Sequence, residues 1–221
     1  MRSVFGHQNF SAIGPVSSGS IQRAPLTRTE RFAKRACDVV LAVTALVVLA
    51  PLFLMTALAI KLNSIGPVII RQRRFGFDGR MFFIYKFRTI YVSEEDAQIV
   101  QPRRNASRVT GVGRLLGQAS IDELPQLFNV LKGDMSLVGP QPNEIACDRY
   151  AAPSYFADRR HFRPGITGWD EVNGLRGATQ TIEQMEKRIE FDLWYINNWS
   201  LALDFKILWR ACFGHALHRA R

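Results

Sequence analysis

Three stretches of the chain hold side chains whose types and spacing could carry chemistry. The first is Ser120-Ile121-Asp122-Glu123-Leu124-Pro125-Gln126, where two carboxylates stand side by side at the start of a helical pattern. Helix capping accounts for the pair on periodicity alone. Ser120 and Glu123 fit a capping box, and acids in a first turn favour the positive end of the helix dipole. Pro125 argues for Asp122 as the cap, because the proline then falls within the first turn, where it is tolerated. The second stretch is Lys86-Phe87-Arg88-Thr89. Alternating cations on a strand-like run could aim at one phosphate, and a solvated strand face is the plain alternative. The third, Arg163-Pro164-Gly165-Ile166-Thr167-Gly168-Trp169, is a turn-rich loop with one guanidinium.

These residues need elements to hold them. Leu124, Leu127, Phe128 and Leu131 recur at helical spacing and predict a helix over residues 124–131, stopped by Gly133. Residues 135–138 read as a short buried strand ended by Gly139-Pro140-Gln141-Pro142. Residues 68–70 and 82–85 read as short strands around a turn between Gly76 and Gly79. Ile182, Met185, Ile189, Leu193 and Ile196 mark a longer amphipathic helix. Residues 201–217 then mix apolar side chains with Lys206, Arg210 and His215. Trp194, Trp199 and Trp209 lie in this closing region, where they suit either a membrane interface or a tryptophan-rich core.

Residues 1–30 are rich in Ser, Gly, Pro and Gln and read as a flexible tail. Residues 39–60 follow, a run of 22 without a charge. About 20 apolar residues suffice to cross a bilayer. A signal peptide fits poorly, since the leader is long and no small-residue cleavage site follows a short apolar core. Pro51 sits near the middle of the run and forces a kink. Both flanks are basic, with Arg31, Lys34 and Arg35 before and Lys61, Arg71, Arg73 and Arg74 after. Positive charge resists translocation, so the pattern predicts a helix–break–helix hairpin that dips into the bilayer and returns. A kinked span is the alternative.

The net charge of +10 points to an anionic partner: nucleic acid, an acidic membrane face or phosphorylated substrates. No nucleic-acid-binding motif is present, and the long apolar run has no use there, so nucleic acid is set aside. Cys37, Cys147 and Cys212 are far apart and odd in number, which disfavours a disulfide framework or structural zinc. A reducing cytoplasm is the natural setting.

Taken in order, the stretches make the chain resemble the polyprenyl-phosphate sugar-1-phosphate transferases, also called monotopic phosphoglycosyl transferases. The resemblance runs from about Arg31 to Leu208. It includes the basic residues ahead of the apolar run, Asp38 near its start and Pro51 within it. It continues through Lys86-Phe87-Arg88-Thr89, the Ser120 to Gln126 stretch, and LKGDMSLVGP from Leu131 to Pro140. It closes with Arg163 to Trp169, Val172-Asn173-Gly174, Asn198 to Leu201 and Asp204-Phe205-Lys206. Each motif is weak alone, and the ordered set is specific.

The resemblance implies an α+β, mainly helical fold. A re-entrant membrane helix hairpin would occupy residues 31–63. A small globular catalytic domain would occupy 64–221, with a few short strands and interfacial amphipathic helices at its end. Larger members carry an extra amino-terminal membrane domain, and by this resemblance the chain is expected to be the minimal catalytic unit. The implied activity is transfer of a hexose-1-phosphate from a UDP-sugar to undecaprenyl phosphate or another polyprenyl phosphate, through a phosphosugar held covalently on Asp122, at the start of polysaccharide assembly. Asp122 and Glu123 are the implied catalytic dyad and the ligands of Mg2+. Lys86, Arg88, Arg114 and Arg163 are implied to stabilise charge on the transferring group, and Gln141 and Pro142 to line the substrate site. N–H groups at the start of the Asp122 helix would face the phosphate. The implied place is the cytoplasmic face of the bacterial inner membrane, with the lipid bilayer as a partner. A second copy could cover an exposed apolar face instead, so a homodimer stays open.

The chain departs from the family pattern in places. Pro140-Gln141-Pro142 stands where Pro-Arg-Pro is usual, and Gly117-Gln118 where many members carry a basic pair. Arg103, Arg104, Arg108 or Arg149 could substitute. Asp170 and Glu171 add two acids near the presumed ligand loop. The stretch from Asn173 to Gly177 resembles the branch that transfers glucose or galactose phosphates. A catalytically weakened relative, acting as a membrane-bound partner in polysaccharide assembly, is the alternative function.

Overall fold

The computed structural model describes residues 23–91, 108–142, 162–175 and 182–218. Helix α1 spans Arg28–Val48. A capping box starts it: Thr27 Oγ1 accepts from Glu30 N at 3.2 Å, and Thr27 N donates to Glu30 Oε2 at 2.8 Å. The tail expected over residues 1–30 therefore stops short of residue 30. Leu26 is buried, and Arg23 pairs with Glu30 at 2.8 Å and lies over the Trp199 ring. Helix α2, Ala50–Asn63, follows after a bend of 61°. The break falls at Leu49, because Pro51 sits in the first turn of α2, where its missing N–H costs nothing, while its ring blocks a helix running in from before. Among the described residues no single helix is long and apolar enough to cross a membrane, but the bent pair passes by length and composition. In α2 only Thr56 and Ile60 are buried, while Leu54, Met55, Leu58 and Leu62 stand exposed.

Strands β1 (Ile69–Phe75) and β2 (Met81–Phe87) form an antiparallel hairpin, longer at both strands than the sequence pattern predicts. Helix α3, Gly111–Ala119, has no counterpart in the expectations; Thr110 caps it by accepting from Gly113 N at 2.8 Å. A single 3-10 turn, Ile121–Glu123, leads into α4, Gln126–Lys132, which Gly133 ends at φ 90°. Strand β3 (Ser136–Val138) pairs in parallel with β4 (Gly165–Thr167). Helices α5 (Trp169–Val172), α6 (Ile182–Asn197) and α7 (Leu201–His218) complete the described chain. It is mainly helical with a few short strands, the α+β class expected.

The main core joins Ala42 of α1, Ile84 of β2, Leu127 and Val130 of α4, Leu137 and Val138 of β3, Tyr195 and Ile196 of α6, Trp199 between α6 and α7, and Ile207 of α7. A second cluster of Ile60, Phe87 and Leu116 joins α2, β2 and α3. The tryptophans differ in setting. Trp199 is in the core, Trp194 stacks on Trp169 at 4.6 Å, and Trp209 stays exposed beside Phe213.

The β3–β4 contact depends on two glycines. A Cβ on Gly165 would lie 2.2 Å from Gly139 N and 2.4 Å from Thr167 O, and both obstacles are backbone. Gly165→Ala is expected to cost about 3 kcal/mol by overpacking, read as a lower thermal midpoint by circular dichroism.

Candidate active site

The first turns of α1 seat it on the rest of the fold through charge. Lys34 Nζ donates to Asp204 Oδ2 at 2.7 Å and to Val138 O at 3.0 Å. Asp38 Oδ1 accepts from Ser136 Oγ and Leu137 N, each at 3.0 Å. Arg35 donates to Val130 O at 2.5 Å and Leu131 O at 2.8 Å, at the carboxy end of α4. Lys34 and Arg35, expected as part of a basic flank, are thus held by protein groups. Tyr195 Oη and Trp199 Nε1 also donate to Asp204, at 2.7 and 3.1 Å. Burial first, and the neighbouring Asp204 carboxylate second, raise the Tyr195 hydroxyl well above its ordinary pKa.

At the other end of α4 lies the Asp122–Glu123 turn. Both carboxylates are partly exposed. The capping box expected from Ser120 to Glu123 does not form: Ser120 makes no side-chain cap bond and adopts the left-handed conformation at φ 55°. Instead Glu123 Oε1 accepts from Lys86 Nζ at 2.6 Å. The turn's N–H groups are also committed, Glu123 N to Ser120 O and Leu124 N to Ile121 O. Pro125 has none, so these three positions offer no free N–H to a phosphate.

Lys86 is brought to the dyad by Asn129, which the sequence reading passed over. Asn129 is fully buried on α4. Its Oδ1 accepts from Tyr85 N at 3.0 Å and its Nδ2 donates to Phe83 O at 2.7 Å, so one side chain bonds the free edge of β2 to the dyad helix. The available signal was an amide set among Leu127, Phe128, Val130 and Leu131 in the helical pattern.

Other expected site residues fall elsewhere. Arg88 is buried, and its guanidinium donates to Ser64 O, Ser64 Oγ and Ile65 O at 2.7, 2.9 and 2.9 Å. In this structure it fastens the end of α2 rather than facing the Asp122–Glu123 turn. Burial lowers its pKa. Arg163 donates from Nε to Gly133 O at 2.8 Å, beyond the far end of α4 from the dyad. Seven residues of helix put that end about 10 Å from the other. Arg114 is exposed on α3, upstream of the dyad. Gln141 and Pro142 are partly exposed past the buried Gly139-Pro140. Gly117 and Gln118 are exposed on α3, and a Cβ on Gly117 meets nothing within 4 Å. Asp170, one of the two added acids, is fully buried and pairs with Arg188 Nε at 3.1 Å, so it serves packing. Arg103, Arg104, Cys147, Arg149, Arg176 and Gly177 lie outside the described residues.

Among the described residues no group of three His, Cys, Asp or Glu side chains converges on a metal position. Two adjacent carboxylates on one turn suit an ion that takes its other ligands from substrate phosphates and water, as magnesium commonly does.

An acidic dyad on a turn with a lysine ion-paired to it defines a site suited to phosphoryl chemistry. The sequence pattern of bacterial sugar transferases matches residues 29–217, and the chain belongs to that family. It is 43% identical over 217 residues to the UDP-glucose:undecaprenyl-phosphate glucose-1-phosphate transferase of Escherichia coli, covering 97% of this chain and 47% of that protein. It is 52% identical over 180 residues to the Caulobacter vibrioides protein of the same name, covering 80% and 67%. It is 41% identical over 194 residues to the UDP-N-acetylgalactosamine-undecaprenyl-phosphate N-acetylgalactosaminephosphotransferase of Aeromonas hydrophila, covering 87% and 45%. The chain thus spans about half the length of the first and third of these relatives.

Proposed function

We propose that this chain transfers a hexose-1-phosphate, glucose-1-phosphate first among candidates, from a UDP-sugar to undecaprenyl phosphate. An Asp122 carboxylate oxygen attacks the sugar-bearing phosphorus. The bond from that phosphorus to the bridging oxygen breaks, UMP leaves, and the phosphosugar remains on Asp122 as an acyl phosphate. A carboxylate suits this step because its mixed anhydride stays reactive toward a second nucleophile. An oxygen of the polyprenyl phosphate then attacks the same phosphorus, the bond to Asp122 breaks, and the carboxylate is regenerated. Lys86 offsets negative charge on the transferring group, while Glu123 orients that ammonium. Asp122 and Glu123 would hold Mg2+, which would neutralise phosphate oxygens. Arg114, exposed on α3, is a further candidate for the diphosphate.

The observation that carries this reading is the 2.6 Å pairing of Glu123 with Lys86 beside Asp122. Lys86→Met is expected to lower turnover on the order of 10- to 100-fold, the worth of one charge-assisted hydrogen bond, measured as steady-state UMP release.

The acceptor's tail lies in lipid, so the site must sit at a membrane. We place the α1–α2 pair in the bilayer as a re-entrant hairpin, with the catalytic part on the cytoplasmic face of the inner membrane. The exposed apolar side chains of α2 and the 61° bend support this. Exposed Trp209 and Phe213 of α7 suit the interface. Lipid, rather than a second copy of the chain, then covers these faces.

The test is UMP release from UDP-glucose, UDP-galactose and UDP-N-acetylgalactosamine, with undecaprenyl phosphate and magnesium. Release from UDP-glucose supports the reading; release only from the N-acetylated sugar corrects the donor. Silence with every donor favours the weakened relative, a reading that exposed Gly117 and Gln118 keep in play.

A further inference from the structure

Three side chains within the first turns of α1 grip the rest of the fold: Lys34 grips α7 and β3, Asp38 grips β3, and Arg35 grips α4. Of these three, only Arg35 bonds the helix that carries the dyad turn, adding a polar tie to the apolar packing of α1 on α4. The carbonyls it meets, Val130 O and Leu131 O, lie in the last turn of α4, where helix carbonyls lack intrahelical partners and the dipole favours a cation. Arg163 adds a second guanidinium there, on Gly133 O, and it comes from the loop before β4 rather than from the hairpin.

We propose that Arg35 is a positioning residue for the lipid acceptor: it pins α4 to α1 and so sets the depth of the Asp122–Glu123 turn relative to the lipid-facing hairpin. The proposal rests on the transferase reading above. Helix α1 runs unbroken from Arg35 to its end at Val48, about 20 Å of rigid helix. Helix α4 is short and regular, so fixing its carboxy end fixes the turn at its amino end. The UDP-sugar arrives from water and does not sense that depth. The polyprenyl phosphate, with its phosphate held at the interface by a buried tail, does.

The experiment compares two acceptors for the same enzyme. One is undecaprenyl phosphate in phospholipid vesicles, and the other is a water-soluble short-chain prenyl phosphate. In Arg35→Ala, KM for the vesicle acceptor rises about tenfold or more, since small misplacements of reacting groups are costly. The single-turnover burst of UMP from UDP-glucose and the KM for the soluble acceptor stay within about twofold of wild type. Arg35→Lys, which keeps one donor, recovers part of the vesicle KM. If Arg35→Ala does not fold, Arg35→Gln takes its place with the same acceptor contrast expected. Arg31→Ala removes an equal charge from an exposed neighbour and leaves the vesicle KM near wild type.

An equal loss on both acceptors would overturn the proposal, because Arg35 would then support α4 locally. So would no loss at all, or an equal rise in Arg31→Ala, which would assign the effect to headgroup attraction. Wild-type silence on both acceptors would sink the transferase reading and this proposal with it.

Discussion

Asp122→Asn is expected to abolish both UMP release and lipid-linked product, with a loss of about 10⁴-fold or more, as for removal of other covalent nucleophiles. The amide matches the carboxylate in shape, so the turn, the Glu123–Lys86 pair and the helix behind them are kept. What disappears is the anionic oxygen that bonds to phosphorus. Glu123 is next in sequence but is committed to Lys86 at 2.6 Å, and it does not take over. The check is UMP release at saturating UDP-glucose for wild type and variant, beside a thermal melt showing equal stability. Asp122→Asn retaining more than a tenth of wild-type turnover would remove Asp122 from the nucleophile's role.

Asp204→Ala is expected to carry the largest stability loss. Asp204 is buried and accepts from Lys34, Tyr195 and Trp199. Its removal leaves the Lys34 ammonium in the interior with the Val138 carbonyl as its acceptor among the described residues. Breaking a buried pair from one side costs about 3–5 kcal/mol, and for a chain of this size that lowers the thermal midpoint by roughly 10 °C. Lys34→Met with Asp204→Leu should recover much of the loss, because the stranded charge is gone. The same cluster sets an alkaline limit. Tyr195's folded pKa is raised, so the stability it contributes is intact below about pH 10, its unfolded value. That stability is lost as pH rises from there toward the raised folded value.

Where periodicity and turn residues govern, the sequence was informative. The helical spacing of Leu124, Leu127, Phe128 and Leu131 placed α4 to within about two residues, and the glycines around residue 77 placed the hairpin turn. Helix α6 matches its apolar spacing. The Asp122–Glu123 pair stands out only within the ordered set of motifs, since each motif alone is weak. Partners of charged groups were not visible. Lys34 and Arg35 read as a basic flank, yet they meet Asp204 and α4 across separations of 170 and 95 residues. Arg88 alternates with Lys86 along β2 and beyond, and the chain leaves strand geometry after Phe87, so the two cations part ways. Helix α3 is short and glycine-rich, so the apolar spacing of Val112, Leu115, Leu116 and Ala119 is too brief, and too broken by Gly113 and Gly117, to mark it clearly. The capping box exists, but at Thr27 and Glu30, because Ser120 is drawn into a left-handed turn between α3 and the dyad.

The covalent phosphosugar on Asp122 is the central claim, and the most direct test withholds the acceptor. Wild-type protein is incubated with magnesium and UDP-glucose labelled in the sugar, then separated from free nucleotide. The account predicts label bound to protein together with a matching burst of UMP. The label should be absent from Asp122→Asn and released as lipid-linked sugar when undecaprenyl phosphate is added. Product formed only when both substrates are present, with no labelled protein and no burst, would contradict it.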